Sequence, residues 1–289
     1  MTTGTRTGTR TAPPDTHHAE TPSARAKAPA RTRRRGARLP DPLPWLLPLG
    51  VLAVWQLASW NTWMDPLLLP SPGAVARVLW DSAGDGTLVT DLSASIERWA
   101  SGFLIGASLG LLLGSLVGLS VLSERLLDTS VQMLRTVPVS GLSPLLIVWL
   151  GLDEAPKVVL VAVGSFFPVY INTFGGIRNV DRKLVEVGQV FQWNRPTVLR
   201  RIVLPAALPE ILNGIRYALG VAWVLLVLAE LLGATSGLGF MLNQGRELSR
   251  VDVVIAALLV FAVAGKAVDL LVRAAERRLL RWRDLPAGA

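Results

Sequence analysis

The chain has 289 residues, 51% apolar and 17% charged, with a mean hydropathy of +0.45 and no cysteine. A soluble domain carries about 25% charged residues, so the deficit argues for an integral membrane protein, and the missing cysteines exclude disulfide and thiolate chemistry. The net charge of +8 brackets apolar blocks, as membrane topology requires, which excludes nucleic acid as the partner it would otherwise suggest.

Residues 1–40 are rich in Thr, Arg, Ala and Pro and nearly devoid of large apolar side chains. They bury too little surface to offset the entropy of ordering, so a disordered basic cytoplasmic tail is predicted. His17 and His18 lie in it and are read as solvated tail residues, not as a metal site. No small-residue cleavage site follows the first apolar block, which is expected to remain as an anchor.

The membrane domain, 41–289, holds six apolar stretches near the roughly 20 residues that a spanning helix needs. They cover about 44–60, 99–122, 127–150, 158–177, 211–232 and 253–272. Trp45, Trp55, Trp60 and Trp63 flank the first as interfacial anchors, and Pro138 and Pro144 interrupt the third. Arg31, Arg33, Arg34, Arg35 and Arg38 precede the first span and place the N-terminus in the cytoplasm. The acidic stretch Asn61 to Glu97 is then outside. Arg178, Arg182, Lys183, Arg195, Arg200 and Arg201 fall inside, as do Arg273, Arg277, Arg278, Arg281 and Arg283 at the end. One span more or fewer would break this charge pattern.

Gly102, Gly106, Gly110, Gly114 and Gly118 recur every fourth residue through the second span. Residues four apart share a helix face, so these glycines form a groove into which a neighbouring helix packs closely. Polar groups within or beside the spans are Arg135, Asn172, Asn213, Arg216, Glu230, Lys266 and Asp269. Such groups face the bundle interior or a water-filled route. Lys266 and Asp269, three apart, are expected to pair. Arg135 and Arg216 are read near cytoplasmic span ends, where snorkelling accounts for them. Glu230, near an outer end, either pairs with a neighbouring helix or lines a permeation path with Asn172 and Asn213.

No catalytic constellation is present: there is no histidine in the membrane part, no Gly-x-Ser-x-Gly, no His-Glu-x-x-His, and no Gly-x-x-x-x-Gly-Lys-Ser/Thr loop. No cofactor or metal is implied. If ATP powers the protein, the nucleotide site lies on another chain.

The longest internal cytoplasmic loop, about 178–209, contains EVGQVFQWNRPTVLRRIVLPAALPE. Val185 to Phe191 forms a short helix in this reading. Asn194 caps a second, with Arg195 and Pro196 in its first turn and Pro205 at its end. The amphipathic second helix suits anionic lipid and a protein partner equally.

Glu186-Val187-Gly188, three residues, Gln192, nine residues and Ile202-Val203-Leu204-Pro205 resemble the "EAA" loop of bacterial ABC importer permeases. That loop reads Glu-Ala-Ala, three residues, Gly, nine residues, Ile-x-Leu-Pro. Val187 and Gly188 stand in place of its alanines and Gln192 in place of its glycine. The likeness runs from Leu69 to Trp282. LPSPGAV (69–75), LRTVPVSGLSPLLIVWLGL (134–152), LPAALPEILNGIRYALGVAW (204–223) and AELLGATSGLGFM (229–241) are similar to the sulfonate, taurine and nitrate branch. GKAVDLLVRAAERRLLRW (265–282) is most similar to aliphatic sulfonate permeases.

The resemblance implies an all-α, six-helix integral membrane protein with the type I ABC importer permease fold, in the bacterial inner membrane with both termini cytoplasmic. It implies a non-catalytic subunit, a homodimer embedded in lipid, that docks cytoplasmic ABC ATPase subunits on Glu186 to Pro205 and receives substrate from an extracytoplasmic binding protein. Aliphatic sulfonates are the expected cargo, with taurine, nitrate or another small anion as alternatives. A self-powered secondary transporter is the rival of another class; it calls for internal repeats, and none is evident between the halves.

Overall fold

Apolar stretches too long for a soluble core and proline-marked breaks between them yield helices and no strand among the described residues. The computed structural model describes residues 43–60, 65 and 67–279. The predicted tail with its histidines, Trp63, Arg281 and Arg283 lie outside the described residues. The chain divides into two compact units, Met1–Leu46 and Leu47–Ala289. In the first, Leu43–Leu46 are described and helical; the second holds the rest of the described chain.

The helices are α1 (Leu43–Trp60), α2 (Pro72–Gly84), α3 (Thr87–Leu119), α4 (Val121–Ser123), α5 (Thr129–Arg135), α6 (Ser143–Leu150), α7 (Glu154–Arg178), α8 (Arg182–Val190), α9 (Arg195–Val198), α10 (Leu204–Leu231), α11 (Leu238–Glu247) and α12 (Val251–Leu279). A π turn, Glu124–Asp128, joins α4 to α5, and another, Leu199–Val203, joins α9 to α10. Among the described residues, four helices are long and apolar enough to cross a membrane, or five if the bent pair Val121–Arg135 and Val139–Leu150 is one span. That pair turns through 85°. Pro138 causes the break: it is extended, at ψ 116°, and cannot donate to a helical ladder. The apolar part of α1 is shorter, Leu46–Trp60.

The acidic stretch before the second span is not an open loop. Ser71 caps α2 by accepting from the Ala74 amide, with Pro72 in the first turn, and α3 starts at Thr87. Trp55 donates to the Pro70 carbonyl at 3.0 Å, fixing this segment to α1.

α7 is the central helix, gripped by α3 on one side and α10 on the other. Cβ atoms built on the α3 glycines would lie 2.7 Å from Val161 Cβ at Gly102 and 2.1 Å from the Ala162 carbonyl oxygen at Gly106. They would lie 2.8 Å from the Phe166 oxygen at Gly110, 2.8 Å from the Tyr170 oxygen at Gly114 and 3.0 Å from Ile177 Cβ at Gly118. Partner numbers rise with glycine numbers, so α3 and α7 run parallel. On the other side Gly164 meets Leu225, Gly214 meets Asn172 and Gly176 meets Ala207, so α10 runs antiparallel. Where lipid supplies no hydrophobic drive, this backbone proximity provides the van der Waals contact that holds helices together.

Candidate functional site

The two ends of the bundle carry different chemistry. At the end where α7 finishes, Arg178 pairs with Glu124 at 2.8 Å and the Tyr170 hydroxyl donates to Asp128 at 3.1 Å, fastening the first π turn to α7. Beyond it stands the segment that carries the loop motif. Asp181 caps α8 through the Lys183 amide. α8 closes in a Schellman turn, with Trp193 N–H donating to Gly188 O at 3.0 Å and Gln192 N–H to Gln189 O at 2.9 Å. That turn puts Gln192 at φ 55°, the left-handed region where glycine is the unstrained choice. Asn194 then accepts from the Thr197 amide at 3.0 Å, with Pro196 in the first turn of α9.

Gly188 is the buried pivot of this knob. A Cβ there would meet Ile202 Cδ1 and Val198 Cγ2, both at 3.1 Å. Phe191 stacks on Trp193 with centroids 5.9 Å apart, and the Arg201 guanidinium lies 5.2 Å above the Trp193 ring. Glu186, Val187, Gln192, Leu204 and Pro205 are exposed and Ile202 is half-buried. Val190 and Phe191 are 81% and 65% exposed and form an apolar tip.

Pro205 does not end the second helix. The Leu204 N–H reaches back five residues to Leu199 O, and this wider turn takes Pro205 into the helical path as the second residue of α10. The helical path is therefore continuous over Arg195–Leu231. Arg216, expected near a cytoplasmic span end, lies near the middle of α10.

At the opposite end a buried polar network joins α3, α7, α10 and the loop before α11. Arg98 Nη1 donates to Glu230 Oε1 at 2.8 Å and to the Ser236 carbonyl at 2.6 Å. Its Nε and Nη2 both donate to Glu154, and Nη2 also to Ser236 Oγ at 3.0 Å. Lys157 adds a second cation on Glu154 at 3.1 Å. Glu230 further accepts from Ser95 Oγ at 2.8 Å and from the Gly239 amide at 2.8 Å, and Ser95 accepts from the Leu238 amide at 2.9 Å. Asp91 takes the Gly237 amide at 2.8 Å. Arg98 and Glu230 side chains are 6% and 0% exposed. Gly237, at φ 114°, has no room for a side chain: its Cβ would lie 2.4 Å from Glu230 Oε1. The cluster sets three carboxylates, Asp91, Glu154 and Glu230, against two cations and several backbone donors, a clamp joining α3 to the start of α7 and the end of α10.

The residues expected along a permeation path lie apart. Glu230 is inside the clamp. Asn172 faces Gly214 across the α7–α10 contact and donates to Pro168 O of its own helix at 2.8 Å. Asn213 is exposed on α10. Lys266 and Asp269 sit 3.5 Å apart, with Arg273 on Asp269 at 2.9 Å. Sequence reasoning missed Arg98, Glu154 and Lys157. For Arg98 a signal existed, since it stands four residues before Gly102 in the glycine register and so faces α7.

Long apolar helices packed through glycine, joined at one end by a polar clamp, define a helical integral membrane protein. The chain belongs to the family of binding-protein-dependent transport system inner membrane components, which matches residues 106–281, and it is thus an ABC permease. It is 47% identical, over 84% of its length and 88% of theirs, to a Bacillus subtilis (strain 168) permease named for aliphatic sulfonate transport, SsuC. The Escherichia coli (strain K12) permease of that name is also 47% identical, over 83% of this chain and 91% of that one. In fold it resembles a chain from a solved structure titled as an amino acid ABC transporter with histidines. The TM-score there is 0.57 at 16% identity, covering 69% of this chain and 97% of that one.

Proposed function

We propose that the chain is the permease subunit of an ATP-driven importer of aliphatic sulfonates, and that α8, α9 and the turn between them are its docking knob for a cytoplasmic ATPase. Glu186, Val187, Gly188, Gln192, Ile202, Leu204 and Pro205 form the coupling loop; ATP hydrolysis belongs to the partner chain. The observation that carries this is the knob itself, two capped short helices about a buried Gly188 with an apolar tip of Val190 and Phe191 uncovered. An interfacial lipid helix needs no Schellman turn held in a strained left-handed residue.

Six spans of the type I fold fit the packing. Because α3 and α7 run parallel, the chain between them has to return across the same thickness, which gives α4 to α6 the role of a broken span. With α1, α10 and α12 this makes six passes, both termini on the knob's side, which the basic loops assign to the cytoplasm. The permease works as a homodimer in lipid, with an extracytoplasmic binding protein delivering substrate at the clamp end and alternating access moving it inward. The sulfonate preference is supported by the two relatives at 47% identity.

Co-purification from detergent tests the docking. The wild-type permease should retain its ATPase, while Glu186→Arg combined with deletion of 192–196 should lose it together with uptake. Uptake that survives loss of the ATPase would sink the ABC mechanism for this chain.

A further inference from the structure

The membrane-facing surfaces of the long helices are not alike. On α3 the exposed face is Leu104, Ile105, Leu109, Leu112, Leu116 and Leu119, an apolar wall suited to acyl chains. On α10 the exposed positions Asn213, Arg216, Tyr217 and Gly220 follow one another at helical spacing near the helix middle. With Val221, Val224 and Leu225 of the same helix and Asp269 of α12, they line an open groove of about 630 Å³. An amide, a guanidinium and a phenol at that depth cannot face hydrocarbon without a cost of several kcal/mol. Water or protein must therefore cover them.

We propose that the Asn213–Arg216–Tyr217–Gly220 stripe of α10 is the wetted wall of the translocation path, and that it selects a small organic anion. Asn213 Nδ2 and the Tyr217 hydroxyl donate to anionic oxygens; Arg216 supplies the positive field; Gly220 leaves a lane for an alkyl chain. Arg216 need not be unpaired for this, because a guanidinium presents five donors. That the anion is an alkanesulfonate rests on the function proposed above. The clamp then has a separate task, holding the helices that frame the path.

The native chain lacks cysteine, so single cysteines report on water directly. Asn213→Cys, Tyr217→Cys and Gly220→Cys, with Leu109→Cys and Leu112→Cys on the lipid wall, are assembled with the ATPase and binding protein in vesicles. Each is treated with 2-sulfonatoethyl methanethiosulfonate, itself an alkanesulfonate, and with its trimethylammonium analogue. The stripe should react while the α3 wall does not. The anionic reagent should be faster by about tenfold in the focused field of Arg216, and ethanesulfonate should protect. In uptake assays Arg216→Gln should raise the half-saturating ethanesulfonate concentration about tenfold, the usual loss of one charge-assisted bond, with maximal rate retained and Arg216→Lys partly restoring it. A stripe as inert as the α3 wall, or Tyr217→Cys forming a disulfide between copies with no reagent access, overturns the proposal in favour of a dry subunit contact. If the wild-type complex ignores ethanesulfonate but the stripe reacts, the path stands and the sulfonate assignment falls.

Discussion

Arg98 and Glu230, 132 residues apart in sequence, meet at 2.8 Å with both side chains buried. The pair joins α3, about three turns from its start, to the last turn of α10, and Glu154 extends it to the start of α7. Three helices that touch elsewhere through glycine seams and through aromatic contacts such as Trp99 on Trp223 are thus also tied by charge. Glycine seams fix distance but not sliding. An ion pair with backbone donors fixes both.

Removing one partner of a buried pair leaves an uncompensated charge, at a cost of about 3–5 kcal/mol. Arg98→Met should therefore lower the melting temperature of the detergent-solubilised permease sharply. Arg98→Met with Glu230→Gln should recover much of the loss, because a neutral amide at that position still accepts from Ser95 and Gly239. A double variant no more stable than the single one would show that the pair is not the source of the effect.

The α3 seam has no slack at Gly106, where a methyl group would fall 2.1 Å from the Ala162 oxygen. Gly106→Ala should destabilise by about 1–3 kcal/mol, the usual cost of overpacking. Gly84→Ala, with nothing within 4 Å, should be neutral or better. Thermal unfolding of the two variants side by side checks this contrast.

Gln192 holds φ 55° at the turn of the knob. Glycine fits that conformation freely, whereas a β-branched residue is an outlier there. Gln192→Gly should keep ATPase binding and uptake. Gln192→Val should cost about 1–3 kcal/mol locally, visible as faster amide exchange across 188–198 and weaker ATPase retention.

Passage of the bent segment across the membrane is open to labelling in this cysteine-free chain. Arg125→Cys should react with an impermeant maleimide only after the membrane is opened, and Asp153→Cys from the outside in intact cells. Both reacting from one side would make the segment a re-entrant loop and remove it from the span count.

Much of the architecture was legible in the sequence where local rules apply. The glycine register announced the α3 seam, though not that α7 was its partner, since spacing names a face and not a neighbour. The Asn194 cap followed from backbone chemistry alone, whereas the turn at Gln192 was marked by the resemblance, which has glycine there. Two features escaped for physical reasons. Pro205 read as a helix end, because a π turn that absorbs a proline leaves no compositional mark. Arg98 went unremarked, because its partners at Glu154 and Glu230 come together only through tertiary packing. With α10 starting at Leu204 instead of about 211, Arg216 moved from a boundary residue to mid-helix, and the polar stripe became visible.

The most direct measurement is uptake of labelled ethanesulfonate into proteoliposomes holding the permease, its ATPase and its binding protein. Accumulation that requires ATP, is lost with Glu186→Arg, and is not displaced by equal taurine or nitrate is the expected result. Accumulation without ATP, or a preference for taurine or nitrate, would contradict it: the first denies the ATPase-coupled mechanism, the second the sulfonate cargo.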